Sequence, residues 1–250
     1  MRLLLLNPNT SRDVTALMRD TAAAAAAPGT EIVAATAPRG VPYIANRAEA
    51  QIGGAIALEM LAEAGPGIDA AILAAFGDPG LVGARELFDI PVIGLAEAAM
   101  LSACLLGGRF GIVTFAQGLL PWYRDCVAMH GLSARCAAIR AIEGRFASLA
   151  GVQAEKEDQL VALAEAAVRE DGADVLIFAG APLSGLGPRV RERVPVPVVD
   201  QVVAAVKLAE AAVALRPRKA ASGALSRPPA KESRGLPEAL AARLAHTDRG

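Results

Sequence analysis

One phrase is written twice in this chain. Residues 68–81 read IDAAILAAFGDPGL and residues 173–186 read ADVLIFAGAPLSGL, each an apolar run that meets a Gly/Pro turn and closes on Gly-Leu. The offset is 105, from Gly80 to Gly185 and from Leu81 to Leu186. Pro91-Val92 repeats as Pro197-Val198 at 106, and the run from Arg2 repeats as the run from Arg109 at 107. Three matched pieces in one order imply two related α/β halves, and a site between such halves receives one strand-end loop from each.

The rest of the chain fits that scheme. Leu3–Leu6 reads as a buried strand ended by the turn Asn7-Pro8-Asn9-Thr10, and Thr10 with Asp13 forms a capping-box pattern that opens a helix through Ala27. Glu31–Thr36, Ala70–Ala75 and Pro91–Leu95 read as the next strands, with a loop at Arg39–Ala45 and a helix from there to about Ala64. Asp78 is expected to cap a helix with Pro79 in its first position. In the second half, Phe110–Phe115, Ala137–Ala141, Val175–Ala179 and Val196–Val199 read as strands. Pro121–His130, Ala154–Asp171 and about Gln201–Leu215 read as helices, the last returning to the first half. Strands alternating with helices predict an α/β fold: two pseudo-symmetric lobes with parallel sheets and a ligand cleft outside the strands' carboxyl ends. The expected division is 1–98 plus 200–215, then 99–199. A basic tail at 216–250, rich in Pro, Ser and Gly, reads as extended, with a short amphipathic helix at Leu236–Leu244 that is either docked or, the favoured reading, solvated with the rest of the tail.

Composition narrows the function. A formal charge of -1 gives no basic footprint for nucleic acid or an anionic membrane surface. No apolar run reaches the ~20 residues of a membrane span, and MRLLLL is too short for a signal-peptide core. Three cysteines, at 104, 126 and 136, are odd in number and lack metal spacing, which favours a reduced, cytoplasmic setting. No metal or cofactor is implied.

Four loops should converge on the cleft: Asn7–Thr10, Ala75–Gly80, Thr114–Gly118 and Gly180–Ser184. Asn7, Asn9, Thr10, Thr114 and Ser184 offer amides and hydroxyls, and Phe76 and Ala181 flank the turns. The Gly77 and Gly180 N–H groups are expected to face developing charge. Tyr43 and Arg47, in the following loop, are further substrate-binding candidates, Arg47 for a carboxylate. Trp122-Tyr123-Arg124 is the densest aromatic spot and lines either the cleft or an interlobe contact. His130 is expected to end a helix, with no catalytic partner.

These motifs carry a family resemblance. NPNTS, AAFGDPGL, PVIGLAEAAM and PVVDQVVAAVKLAE, in that order over roughly residues 1–215, resemble the hydantoin racemase branch of the aspartate/glutamate racemase superfamily. The resemblance implies a cofactor-independent enzyme, a homo-oligomer, in which a cysteine from each half flanks the substrate α-carbon. Here the two matching positions are Ala75 and Gly180, which the repeat itself pairs at 105. Two-base inversion needs an ionisable group on each face, so the expected proton carriers pass to Asp78 and Glu97. The related arylmalonate decarboxylases keep the second cysteine, so that route lacks its proton donor too. The leading reading is an isomerase-like enzyme acting at the α-carbon of a small carboxylate or cyclic amide. A non-catalytic small-molecule binding protein, or a lyase using other residues, stays open.

Overall fold

The structure is a computed structural model that describes residues 1–144, 147–149 and 151–248. The first half runs β1 (Arg2–Asn7), α1 (Arg12–Ala25), β2 (Glu31–Thr36), α2 (Arg47–Glu63), β3 (Ala70–Leu73), α3 (Leu81–Leu87), β4 (Val92–Gly94) and α4 (Leu95–Leu106). The second runs β5 (Phe110–Thr114), α5 (Leu120–Met129), β6 (Cys136–Ala141), α6 (Val152–Asp171), β7 (Val175–Phe178), α7 (Leu186–Val190), β8 (Val198–Asp200) and α8 (Gln201–Ala214). A last helix, α9, spans Glu238–Ala245.

Each half forms a four-stranded sheet, ordered β2-β1-β3-β4 and β6-β5-β7-β8. Every pairing is parallel. The two orders are the same after renumbering, so the sequence repeat is a repeat of strand position. The central strands β1, β3, β5 and β7 are covered on both faces, which is why they read as unbroken apolar runs such as LLLL, AAIL and VLIF. The helices that follow the fourth strands cross over: α8 packs on β3 and α1 of the first half, while α4 packs on β7 of the second. One continuous apolar core therefore runs through both sheets, from Leu3 and Ile72 to Ile112 and Ile177.

Two local expectations are corrected. The first helix is capped by Ser11, whose side chain accepts from the Val14 N–H, because Asn9 Oδ1 already draws in the Ser11 N–H and turns the chain one residue later than Thr10. Asp78 does not cap the helix beside it: α3 starts at Leu81 behind a left-handed Gly80, and Asp78 itself sits at φ 51 with its carboxylate turned elsewhere.

The tail is also corrected. Leu240 is buried in a second apolar cluster with Ile56, Leu61 and Phe88, so α9 is docked on the first half rather than solvated. Two tail cations explain the docking. Lys219 Nζ donates to the carbonyls of Arg85, Glu86 and Phe88, and Arg243 Nε donates to that of Leu87. These are the orphan carbonyls at the end of α3, each now paired. Periodicity cannot find such a contact, since it consists of single cations meeting distant backbone.

Candidate active site

The carboxyl ends of the two sheets face one another across a cleft. Its walls include Asn9 after β1, Ala75 and Phe76 after β3, and Gly180 and Ala181 after β7. Ala75 and Gly180, the pair matched by the repeat, thus line one cavity. Counted to its mouth, the void is about 350 Å³, but its water-sized room is only about 20 Å³, space for about a single water. Aromatic rings wall it closely, in two pairs that cross between the halves. Tyr43 packs on Phe115 with ring centroids 5.6 Å apart, and Phe76 on Tyr123 at 4.8 Å.

Backbone conformation makes room for those rings. Gly77, at φ 117, lies flat under the Trp122 indole, where an added Cβ would stand 2.3 Å from the ring. Gly180, at φ 109, would place a Cβ 2.6 Å from the Phe115 ring and 3.3 Å from the Tyr123 hydroxyl. Both positions need glycine, for left-handed backbone and for close approach. The Gly180 N–H does not face the cleft as an oxyanion donor. It donates to Gln201 Oε1 at 3.1 Å, and Gln201 Nε2 returns a hydrogen bond to the Gly180 carbonyl at 2.6 Å. Gln201 is fully buried at the start of α8. Sequence reading missed it, although its place directly after Asp200 at a strand end marked it as loop-facing.

The other expected binding residues divide in two. Asn7 Nδ2 is spent internally on Asn9 Oδ1, the Ser11 carbonyl and Thr15 Oγ1. The Thr10 N–H ties to the Val41 carbonyl and so anchors the Tyr43 loop. Thr114 Oγ1 donates to the Ala179 carbonyl at 2.8 Å, and Ser184 Oγ to that of Ala181 at 2.7 Å. Arg47 pairs with Asp125 and the Pro121 carbonyl of α5, on the outer surface rather than in the cleft. Asn9, Tyr43 and Tyr123 do line the cleft, with Trp122. No charged side chain lines it among the described residues. Its ionisable groups are the two phenols. Burial pushes both up, with Glu49 adding to the effect at Tyr43 and Tyr43 adding to it at Tyr123.

Asp78 and Glu97, expected as proton carriers, stand behind the cleft wall. Asp78 Oδ1 accepts from the Ala96 N–H and Oδ2 from the Glu97 N–H, both at 2.8 Å, so the carboxylate caps α4. His130, at the end of α5, reaches Asp78 Oδ2 with Nε2 at 2.9 Å and Glu97 Oε1 with Nδ1 at 3.5 Å. Arg85 grips Glu97 with both terminal guanidinium nitrogens. Two acids and two cations balance in a partly buried cluster that joins the halves. Burial opposes the His130 charge, but hydrogen bonds to Asp78 and Glu97 outweigh it and raise its pKa to about 9. Burial likewise opposes the Glu97 charge, and His130 and Arg85 overcome it and bring its pKa down to about 2. Sequence reading gave His130 no partner because both partners lie in the other half.

Cys126 lies within ligand distance of Asp78 and His130. The three do not suit a metal: both imidazole nitrogens face carboxylates, and the thiol is pushed far up by burial, then by Asp78 and Glu97. Cys104 and Cys136 lie on α4 and at the start of β6, outside the cleft lining.

Known proteins resemble this chain over most of its length. The hydantoin racemase of Paenarthrobacter aurescens is 33% identical over 240 residues, covering 93% of this chain and 99% of its own. The hydantoin racemase of Rhizobium meliloti is 34% identical over 214 residues, covering 84% and 88%. An allantoin racemase structure from Klebsiella pneumoniae superposes with a TM-score of 0.90 at 35% identity, covering 96% of this chain and 98% of its own. Residues 3–209 match the family described as Asp/Glu/Hydantoin racemase, and the chain belongs to that family.

Proposed function

We propose that this chain is an isomerase-like enzyme that acts at the α-carbon of a small, uncharged cyclic amide without a thiol pair. Its interlobe cleft, with room for about a single water in the closed form seen here, widens to admit the ring. One observation carries the reading: both strand-end positions matched by the repeat line the same cavity, which has polar atoms but no charge. A carboxylate held there would be desolvated with no cation beside it, at a cost of several kcal/mol, so the neutral ring is favoured over the amino acid. The hydantoin racemases and the allantoin racemase among its relatives are named for ring substrates of that kind. Asp78 and Glu97 serve this function by fixing the Phe76-Gly77 wall, as positioning residues.

A second reading has its own support. Both cleft phenols are held protonated by burial, so neither is a ready base near neutral pH, and a binding protein without turnover fits that chemistry. Proton NMR in deuterated water separates the two. Enzyme-dependent loss of the α-proton signal from hydantoins or allantoin, and not from amino acids, is the expected result. Ligand line broadening with no exchange across the panel would overturn catalysis and leave binding.

A further inference from the structure

Lys219 Nζ is held by three backbone carbonyls, those of Arg85, Glu86 and Phe88, the last two at 2.8 and 3.2 Å. A lysine ammonium has three protons to give, and here each meets one acceptor. No carboxylate pairs with it among the described residues. Asp89, the acid nearby, is taken by Arg243 at 2.6 Å. The cage is therefore made of neutral oxygens alone. Divalent cations are held through carboxylates, whereas rings of carbonyl oxygens replace the hydration shell of potassium in its channels.

The cage belongs to the fold and not to the lysine. The Phe88 N–H closes α3 on the Ala84 carbonyl, so the carbonyls beyond it have no partner within the helix. That of Leu87 accepts from Arg243 Nε at 2.9 Å, and the Arg243 guanidinium lies over the buried Phe88 ring at 5.4 Å. The Arg85 side chain is fixed as well, donating to the Val92 carbonyl at 2.9 Å and to Glu97. Lys219 reaches the cage on a short tether. α8 ends at Ala214, Arg216 turns the chain off it at φ 49, and the docked α9 holds the far side.

We propose that the carboxyl end of α3 is a binding site for a small monovalent cation, of ammonium or potassium size, whose resident occupant is the tail's own Lys219. Without that side chain, the three carbonyls take a free cation. Methylammonium is the best match, since it is the end of the lysine side chain: three N–H bonds enter the cage and the methyl group stands where Cε stood. This assignment is independent of what the cleft binds.

Lys219→Ala opens the cage, while Lys219→Gln fills it with an amide and no charge. Thermal unfolding of both is compared with wild type in chloride salts of equal ionic strength, with each Tm read against wild type in the same salt. In lithium chloride both variants should unfold about 2–12 °C below wild type. Methylammonium, ammonium and potassium should return roughly half or more of that loss to Lys219→Ala, saturating as one site fills. Lithium, which keeps its water, and tetramethylammonium, which is large and has no N–H, should return none. Lys219→Gln should stay low in every salt.

A Lys219→Ala protein that responds alike to every salt, or whose recovery never saturates, would overturn the site, as would no loss of Tm in either variant. If Lys219→Ala does not fold in lithium chloride, folding on addition of methylammonium, read by circular dichroism, is the expected result. Failure to fold in every salt would overturn the proposal.

Discussion

Asp78 and Gly94 share one space: a Cβ built on Gly94 would lie 2.4 Å from Asp78 Cγ. In the second half the position matching Gly94 is Asp200, by the offset of 106. Asp200 accepts from the Val202, Val203 and Gly185 N–H groups, fastening the helix after the fourth strand to the loop after the third. The first half does the same with a carboxylate sent from the opposite partner, since Asp78 lies in the third-strand loop and caps α4. Gly94 already has the extended backbone of Asp200, φ -82 and ψ 140 against φ -82 and ψ 127. The cap should therefore be transferable. Asp78→Gly, which suits φ 51, should cost roughly 3–5 kcal/mol by leaving His130 and the α4 amides without their carboxylate. Adding Gly94→Asp should recover about 1–2 kcal/mol of that, read by urea unfolding. No recovery would refute the equivalence.

The His130 cluster sets a pH dependence. The folded pKa, about 9, lies above the ordinary value of 6.5. Its contribution is then fully present below pH 6.5, falls as pH rises, and is lost once pH passes 9. The loss across that window is up to roughly 3 kcal/mol. His130→Gln should flatten the profile between pH 6.5 and 9.5, measured as the urea midpoint at each pH. A variant with the same slope as wild type would place the titration elsewhere.

The tail is expected to be part of the first half's stability. Lys219→Met leaves the Arg85, Glu86 and Phe88 carbonyls without their ammonium and should cost about 1–3 kcal/mol. Truncation after Leu215 removes Arg243 and the Leu240 contact as well and should cost more. Differential scanning calorimetry checks both. Since α3 also carries Arg85, the cation that shares Glu97 with His130, loosening α3 by truncation should free Glu97 for the imidazole and raise the His130 pKa, followed by NMR titration of the imidazole.

What the sequence made legible was whatever repeats or alternates locally. Two parallel sheets and the strand ends that meet at the cleft follow from the doubled phrase, because parallel strands buried on both faces must be apolar throughout, while the order of strands within each sheet came only from the structure. The cleft position of Ala75 and Gly180 followed from the same offset. What stayed hidden was pairing between distant groups: His130 with Asp78, Gln201 with Gly180, Lys219 with three carbonyls. Each is one side chain meeting another part of the fold, with no periodicity to betray it. Asp78 was misassigned for the same reason, since Asp-Pro-Gly is a capping string whichever helix it caps.

Replacing the two cleft positions with cysteine tests how far this cavity has been rebuilt. Ala75 lines the cleft at an ordinary non-glycine backbone position, and one added sulfur takes up about the room of the single water there, so Ala75→Cys should change Tm only slightly. Gly180→Cys is different in kind. It forces a side chain onto φ 109 and drives its Cβ to 2.6 Å from the Phe115 ring, with the Tyr123 hydroxyl 3.3 Å away. Backbone strain of about 1–3 kcal/mol and overpacking of about 1–3 kcal/mol should together lower stability by roughly 2–6 kcal/mol. The double variant should therefore gain no α-proton exchange unless Phe115 is also reduced, as in Phe115→Ala. Urea unfolding of the single variants, followed by exchange in deuterated water for the double and triple variants, separates strain from chemistry. A stable Gly180→Cys protein would show that the loop after β7 relaxes freely and that the Phe115 ring does not fix the second face of the cleft.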